Sequence, residues 1–120
     1  MTDLIWIVAL TAAFEAVTCA FRWGLGLQST RDTAFLAPLT FRVRIHHGYV
    51  GAAASAGAFA VPFDGWLIVW AMRIGVALLV SDLIHHFVVL HWTTGDHQFD
   101  LTYPQVAVIE AEREAQEARG

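Results

Sequence analysis

Long apolar stretches, separated by short polar ones, account for most of this chain. Three of them, residues 3–21, 47–63 and 65–92, have the composition of helices that cross a membrane. A helix needs about 20 mostly apolar residues to cross the hydrocarbon core of a bilayer. The second stretch is short and rich in Ala and Gly, whereas the third is long enough to tilt or protrude. The pattern predicts an all-α integral membrane protein with three transmembrane helices.

The segments between and after these stretches predict the rest of the architecture. Residues 62–65 form a Pro-Phe-Asp-Gly turn, which makes the second and third helices an antiparallel hairpin. Residues 22–46 interleave apolar side chains with arginines, as expected of a segment that lies at the membrane interface. Thr102 is placed to cap the start of a short amphipathic helix. We therefore predict a three-helix membrane domain over 1–101 and a cytoplasmic C-terminal helix over 102–120.

Arginines are concentrated on one side of the predicted bundle. The segment between the first two helices carries four of the seven arginines of the chain: Arg22, Arg31, Arg42 and Arg44. The opposite side carries two acidic residues, Asp3 and Asp64, and no arginine. Because positively charged loops stay in the cytoplasm, the N-terminus is expected to lie outside. The first helix lacks the basic flank and the cleavage site of a signal peptide, so we expect it to be retained.

Composition supports a membrane protein and excludes one class of partner. Hydrophobic residues make up 57% of the chain and charged residues 15%, more apolar surface than a small water-soluble domain can bury. The net charge of −4 leaves no basic face for phosphates, so we expect no nucleic-acid partner. The expected location is the cell membrane, as a multi-pass protein surrounded by lipids. Three helices form a thin wall, which favours a homo-oligomer or a partner membrane protein.

Ionisable residues inside the apolar stretches are the strongest functional signal. The third stretch carries Asp82, His85 and His86, although a central Asp costs about 2.5–3.5 kcal/mol to insert. Residues of this kind usually face a bundle interior and serve a function. The expected topology brings three further groups to the same cytoplasmic depth: Glu15, His46 and His47.

Imidazoles and carboxylates from neighbouring helices are the ligands of zinc and non-haem iron sites. We predict His47, Asp82 and His86 as metal ligands, because the last two share a helical face at i and i+4. Glu15 is then the catalytic general base or a fourth ligand. Haem between His47 and His86 is a weaker alternative, and a structural polar network is another. Two more histidines would orient the ligands or bind a second metal: His46 and His85.

The segment 82–86, Asp-Leu-Ile-His-His, resembles the histidine boxes of membrane desaturases and hydroxylases, with Asp82 in the place of a histidine. Six histidines are fewer than the di-iron centre of those enzymes uses. Histidines and acids scattered over helix ends also resemble membrane hydrolases of the ceramidase and adiponectin-receptor kind, which have seven helices rather than three. The resemblance covers a handful of residues. It implies metal chemistry inside a membrane and assigns no family.

These signals predict a membrane-embedded, metal-dependent enzyme, a hydrolase or a non-haem-iron enzyme, that acts on a lipid or amphiphile near the cytoplasmic leaflet. Two other classes remain open: a non-catalytic small subunit of a larger membrane complex, and an oligomeric conduit for protons or metal ions. Cys19 is expected to be a packing residue. The turn at 96–100 is expected to be a solvated loop rather than a cap over the site.

Overall fold

The computed structural model describes residues 2–27, 32–62, 65–103, 108 and 114–116. Three long helices form its framework: α1 over Thr2–Cys19, α2 over His47–Ala60 and α3 over Trp66–Ile84. Two of them are extended by π-helical segments: α1 by Ala20–Gly24, and α3 by His85–Leu90, which leads into a last α-helical turn, His91–Thr94. The described residues contain no strand apart from one isolated bridge, so the predicted all-α class is confirmed.

Two of the helices are long and apolar enough to cross a membrane. They cover Thr2–Gly24, with 23 residues, and Trp66–Thr94, with 29 residues. At 1.5 Å per residue these helices are about 35 and 44 Å long, against a hydrocarbon core of about 30 Å. α2 has 14 residues and a length of about 21 Å. Because α2 is shorter than the bilayer core, the third crossing stays a prediction.

α1 packs against α3 in a parallel arrangement. Near the start of both helices, Arg73 donates two hydrogen bonds to one carboxylate oxygen of Asp3, at 2.9 and 2.6 Å. Further along, the Thr11 hydroxyl lies 3.5 Å from the carbonyl oxygen of Ala77. The two contacts join residues 70 and 66 positions apart, so the helices run in the same direction. Arg73 lies inside an apolar stretch, and the carboxylate of Asp3 neutralises its charge in an ion pair.

α2 packs against α3 in the antiparallel hairpin that the turn at 62–65 predicts. Their backbones approach so closely that a Cβ atom on Gly51 would lie 2.5 Å from the carbonyl oxygen of Gly75. A Cβ atom on Gly48 would lie 2.6 Å from a carboxylate oxygen of Asp82. Small residues permit such close contacts between membrane helices. This contact holds the start of α2, and the two histidines there, against Asp82.

The segment between α1 and α2 exposes apolar side chains. It contains a 3₁₀ turn, Ala34–Leu36, within a series of turns. Phe35, Leu39 and Phe41 are 74, 77 and 90% exposed. Large apolar side chains that project next to arginines suit the boundary between lipid headgroups and hydrocarbon. These exposures support the predicted interfacial segment.

The chain after α3 folds back against this segment. Gly95 ends the helix in the left-handed conformation, at φ 76°, which glycine adopts without strain. The backbone N–H of Arg44 then donates to the carbonyl of Leu101 at 2.9 Å, and that of Tyr103 donates to the carbonyl of Arg42 at 3.2 Å. These bonds join the segment after α3 to the segment between α1 and α2. Most of the predicted C-terminal helix lies outside the described residues.

Candidate metal centre

Ionisable residues from three parts of the chain meet where α3 enters its π-helical segment. We call one group the Asp82 cluster, which consists of His46, His47, Asp82 and His86. We call the adjoining group the Glu15 cluster, which consists of Glu15, Cys19, Ser81 and His85. All six residues that the sequence singles out for the site therefore lie in one of the two clusters.

The carboxylate of Asp82 lies at the centre of its cluster. The residue is 2% exposed. Its Oδ1 atom lies 3.2 Å from His47 Nδ1, 3.7 Å from His86 Nε2 and 3.9 Å from His46 Nδ1. Despite these neighbours, Oδ1 makes no hydrogen bond with any described residue. A buried carboxylate oxygen without a partner is costly, so this arrangement favours a cation at the centre of the cluster.

Hydrogen bonds on the outer side of two rings determine which nitrogens face inward. His86 Nδ1 donates to the carbonyl of His97 at 2.8 Å, and His46 Nε2 donates to the carbonyl of Asp100 at 3.1 Å. Because a carbonyl can only accept, both of these nitrogens carry the ring proton. In neutral rings the inner nitrogens, His46 Nδ1 and His86 Nε2, are then bare and face each other at 3.1 Å. Backbone carbonyls orient metal-binding histidines in the same way.

The lone pairs of His46 Nδ1 and His86 Nε2 repel each other, and a proton or a metal ion between them would relieve this repulsion. A single proton joins the two nitrogens and leaves the Oδ1 atom of Asp82 without a partner. A metal ion satisfies all three atoms, which lie 3.1, 3.7 and 3.9 Å apart. Ligand atoms around tetrahedral zinc, each about 2.0–2.1 Å from the metal, lie about 3.3 Å apart. The buried group of His46, Asp82 and His86 could therefore hold a metal ion after small inward shifts.

The structure gives the neighbouring histidines different positions from those that helical spacing suggests. His46, a supporting residue in the sequence argument, belongs to the buried group because it precedes α2 in an extended conformation. His47, the ligand favoured by the sequence argument, begins the helix and its side chain is 33% exposed. Its Nδ1 atom is nevertheless the ring nitrogen nearest to Asp82 Oδ1. His47 is thus a candidate for an additional ligand.

The Glu15 cluster is hydrogen-bonded internally. His85 Nδ1 lies 2.8 Å from Glu15 Oε1, and the Cys19 thiol donates to the same oxygen at 3.2 Å. The Ser81 hydroxyl donates to the other carboxylate oxygen at 3.4 Å. When His85 Nδ1 carries the ring proton and donates it in a hydrogen bond to Glu15, the other ring nitrogen, Nε2, is the basic atom. Cys19 was expected only to pack, although its i+4 spacing from Glu15 could have indicated the contact.

The π-helical segment His85–Leu90 lies at the boundary between the two clusters. Its first two residues are buried histidines that face different partners. His85 contacts Glu15 of α1, whereas His86 contacts His46 at the start of the hairpin. π-helical turns occur frequently at functional sites. Here one turn delivers two adjacent imidazoles to two sets of partners.

The segment after α3 caps the Asp82 cluster, which corrects the expectation of a solvated loop. The ring of Phe99 stacks on His46, with centroids 4.6 Å apart, and meets His86 nearly perpendicularly at 5.1 Å. Gln98 has a left-handed backbone, at φ 50°, which is uncommon for a residue with a side chain. Its carbonyl accepts a 2.7 Å hydrogen bond from the buried guanidinium of Arg44. The cap covers the His46 and His86 rings on one side.

A cavity of about 320 Å³ opens beside both clusters. Its wall includes Asp82, His85 and two arginines, Arg22 and Arg44. Burial lowers the pKa of the Arg44 guanidinium below its usual value, and the nearby carboxylate of Asp100 opposes that shift. An arginine remains protonated in such surroundings. The cavity is therefore lined by the candidate metal ligands, by a histidine that can act as a base, and by two positively charged arginines.

Comparisons of the chain with models of protein families, with curated proteins and with solved structures give no match. The chemistry of the site is therefore the basis for a function. The site offers two imidazoles and a carboxylate whose inner atoms lack a donor, next to a His–Glu pair and a cavity. This arrangement suits a metal ion with acid–base chemistry beside it.

Proposed function

We propose that this protein is a membrane-embedded, metal-dependent hydrolase that acts on a lipid or another amphiphile near the cytoplasmic leaflet. His46, Asp82 and His86 hold the metal, zinc or iron, and His47 is close enough to add a fourth bond. One observation carries the proposal. Three buried acceptor atoms converge, and no described hydrogen-bond donor satisfies them together.

The Glu15 cluster supplies the acid–base chemistry. A bound metal lowers the pKa of a water molecule and so provides a nucleophile at neutral pH. His85 is held by Glu15 through Nδ1, so its Nε2 atom is the group that accepts a proton. Glu15, expected from the sequence to be the base itself, orients His85 and stabilises its charged form. This division of roles follows from the 2.8 Å contact between the two side chains.

The membrane topology supports a site at the cytoplasmic face. Parallel helices α1 and α3 begin at the same end of the bundle and finish beside the arginine-rich segment. If both cross the bilayer, the chain between them must return, and α2 provides the return. A helix as short as α2 crosses by local thinning of the bilayer or with help from its extended flanks. The protein is then a multi-pass protein of the cell membrane with its N-terminus outside.

Haem is a poor fit to the Asp82 cluster. The two histidines considered as axial ligands, His47 and His86, both lie next to the same oxygen of Asp82, at 3.2 and 3.7 Å. A porphyrin would have to pass between the rings at the point that this carboxylate occupies. The rings of His46 and His86, whose centroids are 4.8 Å apart, also leave no room for a macrocycle between them.

A conduit for protons or metal ions is also less favoured. The ionisable groups of the described bundle gather at its two ends, the Asp3–Arg73 pair at one and the clusters at the other. Between them the described α1–α3 contact is mainly apolar, with one hydroxyl bond from Thr11.

We retain the expectation of a homo-oligomer or a partner membrane protein. A monomeric mass in mild detergent, with the metal retained, would contradict it.

Elemental analysis of the protein purified in mild detergent tests the proposal. We expect about one zinc or iron per chain in the wild type and a loss of most of it in His86→Ala and His46→Ala. His91→Ala is the matched control, because His91 lies on the same helix and stacks on His97 outside both clusters. Wild-type protein without metal after zinc or iron is supplied would overturn the proposal, and so would equal content in all four proteins.

A further inference from the structure

The wall of the cavity combines polar and apolar side chains. Phe21, Leu27 and Ile45 line the cavity and are also 51, 45 and 49% exposed on the surface of the protein. Leu90, in contrast, lines the cavity and is buried. Side chains that belong to both the cavity wall and the outer surface mark its mouth, which also includes the exposed Asp32. The mouth is therefore partly apolar, and its apolar part faces lipid if the proposed function is correct.

Two arginines line the cavity. The guanidinium of Arg44 is buried and donates to the backbone of Gln98, and Arg22 donates to the side chain of the same residue at 3.0 Å. Asp32 and Asp82 also line the cavity, and the carboxylate of Asp100 lies 3.6 Å from Arg44. A divalent ion at the Asp82 cluster would then leave these five charged side chains with one surplus positive charge. A surplus of this kind attracts an anion.

We propose that the substrate is an amphiphile with an anionic headgroup, a phosphate or a carboxylate, that Arg44 and Arg22 bind beside the metal. This inference rests on the proposed function. The planar guanidinium forms paired hydrogen bonds with either kind of anion. The hydrocarbon chain leaves through the apolar part of the mouth, between Phe21 and Ile45, and reaches the lipid phase.

Arg42 provides an internal comparison. It belongs to the same segment as Arg44 and carries the same charge, but it is exposed and is not part of the cavity wall. If the arginines only attract the membrane surface or fix the topology, the two positions are equivalent. If the cavity recognises an anionic headgroup, the two positions differ.

Binding of single-chain lipids to the metal-loaded protein in zwitterionic detergent tests the inference. The probes are a lysophosphatidate, a fatty acid and an uncharged monoacylglycerol of equal chain length, followed by competition with a fluorescent lysophosphatidate. We expect the two anionic lipids to bind about 10-fold more tightly than the monoacylglycerol. Arg44→Gln should remove this preference, whereas Arg42→Gln should change it less than about 2-fold. Arg22→Gln, a second variant that leaves the Arg44 bonds intact, should reduce it.

Three results would overturn the inference. The monoacylglycerol binds as tightly as the anionic lipids, the arginine variants at 42 and 44 weaken binding equally, or inorganic phosphate competes as well as lysophosphatidate, so that the site takes a free anion. If Arg44→Gln does not fold, an unchanged preference in Arg22→Gln decides against the inference. Metal content, measured on the same samples, reports separately on the proposed function. Metal-free wild type contradicts that function, whereas full metal without a headgroup preference contradicts only this inference.

Discussion

Asp82 is the residue on which the electrostatics of the site depend. Without a metal, its buried Oδ1 atom lies among three ring nitrogens and makes no hydrogen bond with the described residues. With a metal it becomes a ligand, and its charge is compensated. The same carboxylate therefore destabilises the metal-free protein and stabilises the metal-bound one.

The substitution Asp82→Asn should change stability in opposite directions with and without the metal. Without metal, Asp82→Asn should stabilise the protein, by about 1–3 kcal/mol, because the amide removes a buried charge and can donate to a ring nitrogen. With zinc or iron present, the variant should be less stable than the wild type, because a ligand is lost. Thermal unfolding in mild detergent, with and without a chelator, measures both effects.

Asp3→Asn serves as the control for that reversal. It makes the same chemical change at an exposed position that pairs with Arg73, at the opposite end of α1 from the site. Its effect on unfolding should be the same with and without metal. A loss of stability in Asp82→Asn that is equal in both conditions would contradict a metal at Asp82.

His85 and Glu15 should affect catalysis without affecting the metal. His85→Gln should retain the metal and lower the rate of metal-dependent lipid hydrolysis by about 10²-fold or more, because it removes the proton acceptor. Glu15→Gln should lower the rate less, since it weakens the orientation of His85 and leaves the base in place. Product release from a reconstituted lipid extract, together with metal content, measures both effects. Loss of metal in His85→Gln would instead make His85 a ligand.

Helical spacing was a sound guide to the pair formed by Asp82 and His86. They share a face at i and i+4, and both lie in the Asp82 cluster, although His86 belongs to the π-helical segment. His46 and His47 could not be ranked in this way, because the helix begins between them and the extended His46 turns inward. The carbonyls of His97 and Asp100 that orient the rings come from backbone, which a pattern of side chains does not encode.

At the scale of the elements, the glycine contact between α2 and α3 determines whether the site can form. The helices meet where Gly51 and Gly75 allow backbone atoms to touch, and the same contact places Gly48 against Asp82. A side chain at this contact must push the helices apart, because the nearest atoms belong to backbone. As the helices separate, the distance between α2 and the carboxylate of Asp82 would increase.

Gly51→Leu should therefore abolish metal binding although residue 51 is not a ligand. A Cβ at this position meets backbone atoms of α3 at 2.5 and 2.7 Å, so the hairpin must open. Gly57→Leu is the matched control, since Gly57 lies on the same helix with no atom within 4 Å of an added Cβ. Elemental analysis should show metal loss in the first variant alone. Retention of metal in Gly51→Leu would contradict the packing argument.

The elements themselves were predictable to different degrees. The turn at 62–65 predicts the antiparallel hairpin because proline and glycine both interrupt a helix. The hydropathy pattern does not indicate the π-helical segments Ala20–Gly24 and His85–Leu90, because a π-helical turn and an α-helical turn suit the same kinds of residues. The bonds that fold the tail against the loop join backbone groups of Arg44 and Leu101, and hydropathy carries no information about them.

At the scale of the whole molecule, the proposed function places a charged site at one face of a membrane. Two helices have the length and composition to cross it. α2 must cross as well if the starts of α1 and α3 are to lie on the same side. The exposed apolar loop then lies along the cytoplasmic interface.

Labelling of single cysteines in intact cells tests this topology. In a Cys19→Ser background, Thr2→Cys and Ala60→Cys should react with a membrane-impermeant maleimide from outside, because both positions are exposed and lie at the end of the bundle opposite the clusters. Phe41→Cys, in the arginine-rich segment, should react only after the cells are opened. Reaction of Ala60→Cys from the cytoplasmic side alone would show that α2 does not cross.

The X-ray absorption spectrum of the bound metal tests the central claim most directly. We expect nitrogen and oxygen ligands at about 2.0–2.1 Å for zinc, with the scattering pattern of two or three imidazoles. Replacement of His46 or His86 should remove one imidazole from that pattern. A sulfur ligand at about 2.3 Å would place the metal at Cys19, in the Glu15 cluster, and would contradict the assignment to His46, Asp82 and His86.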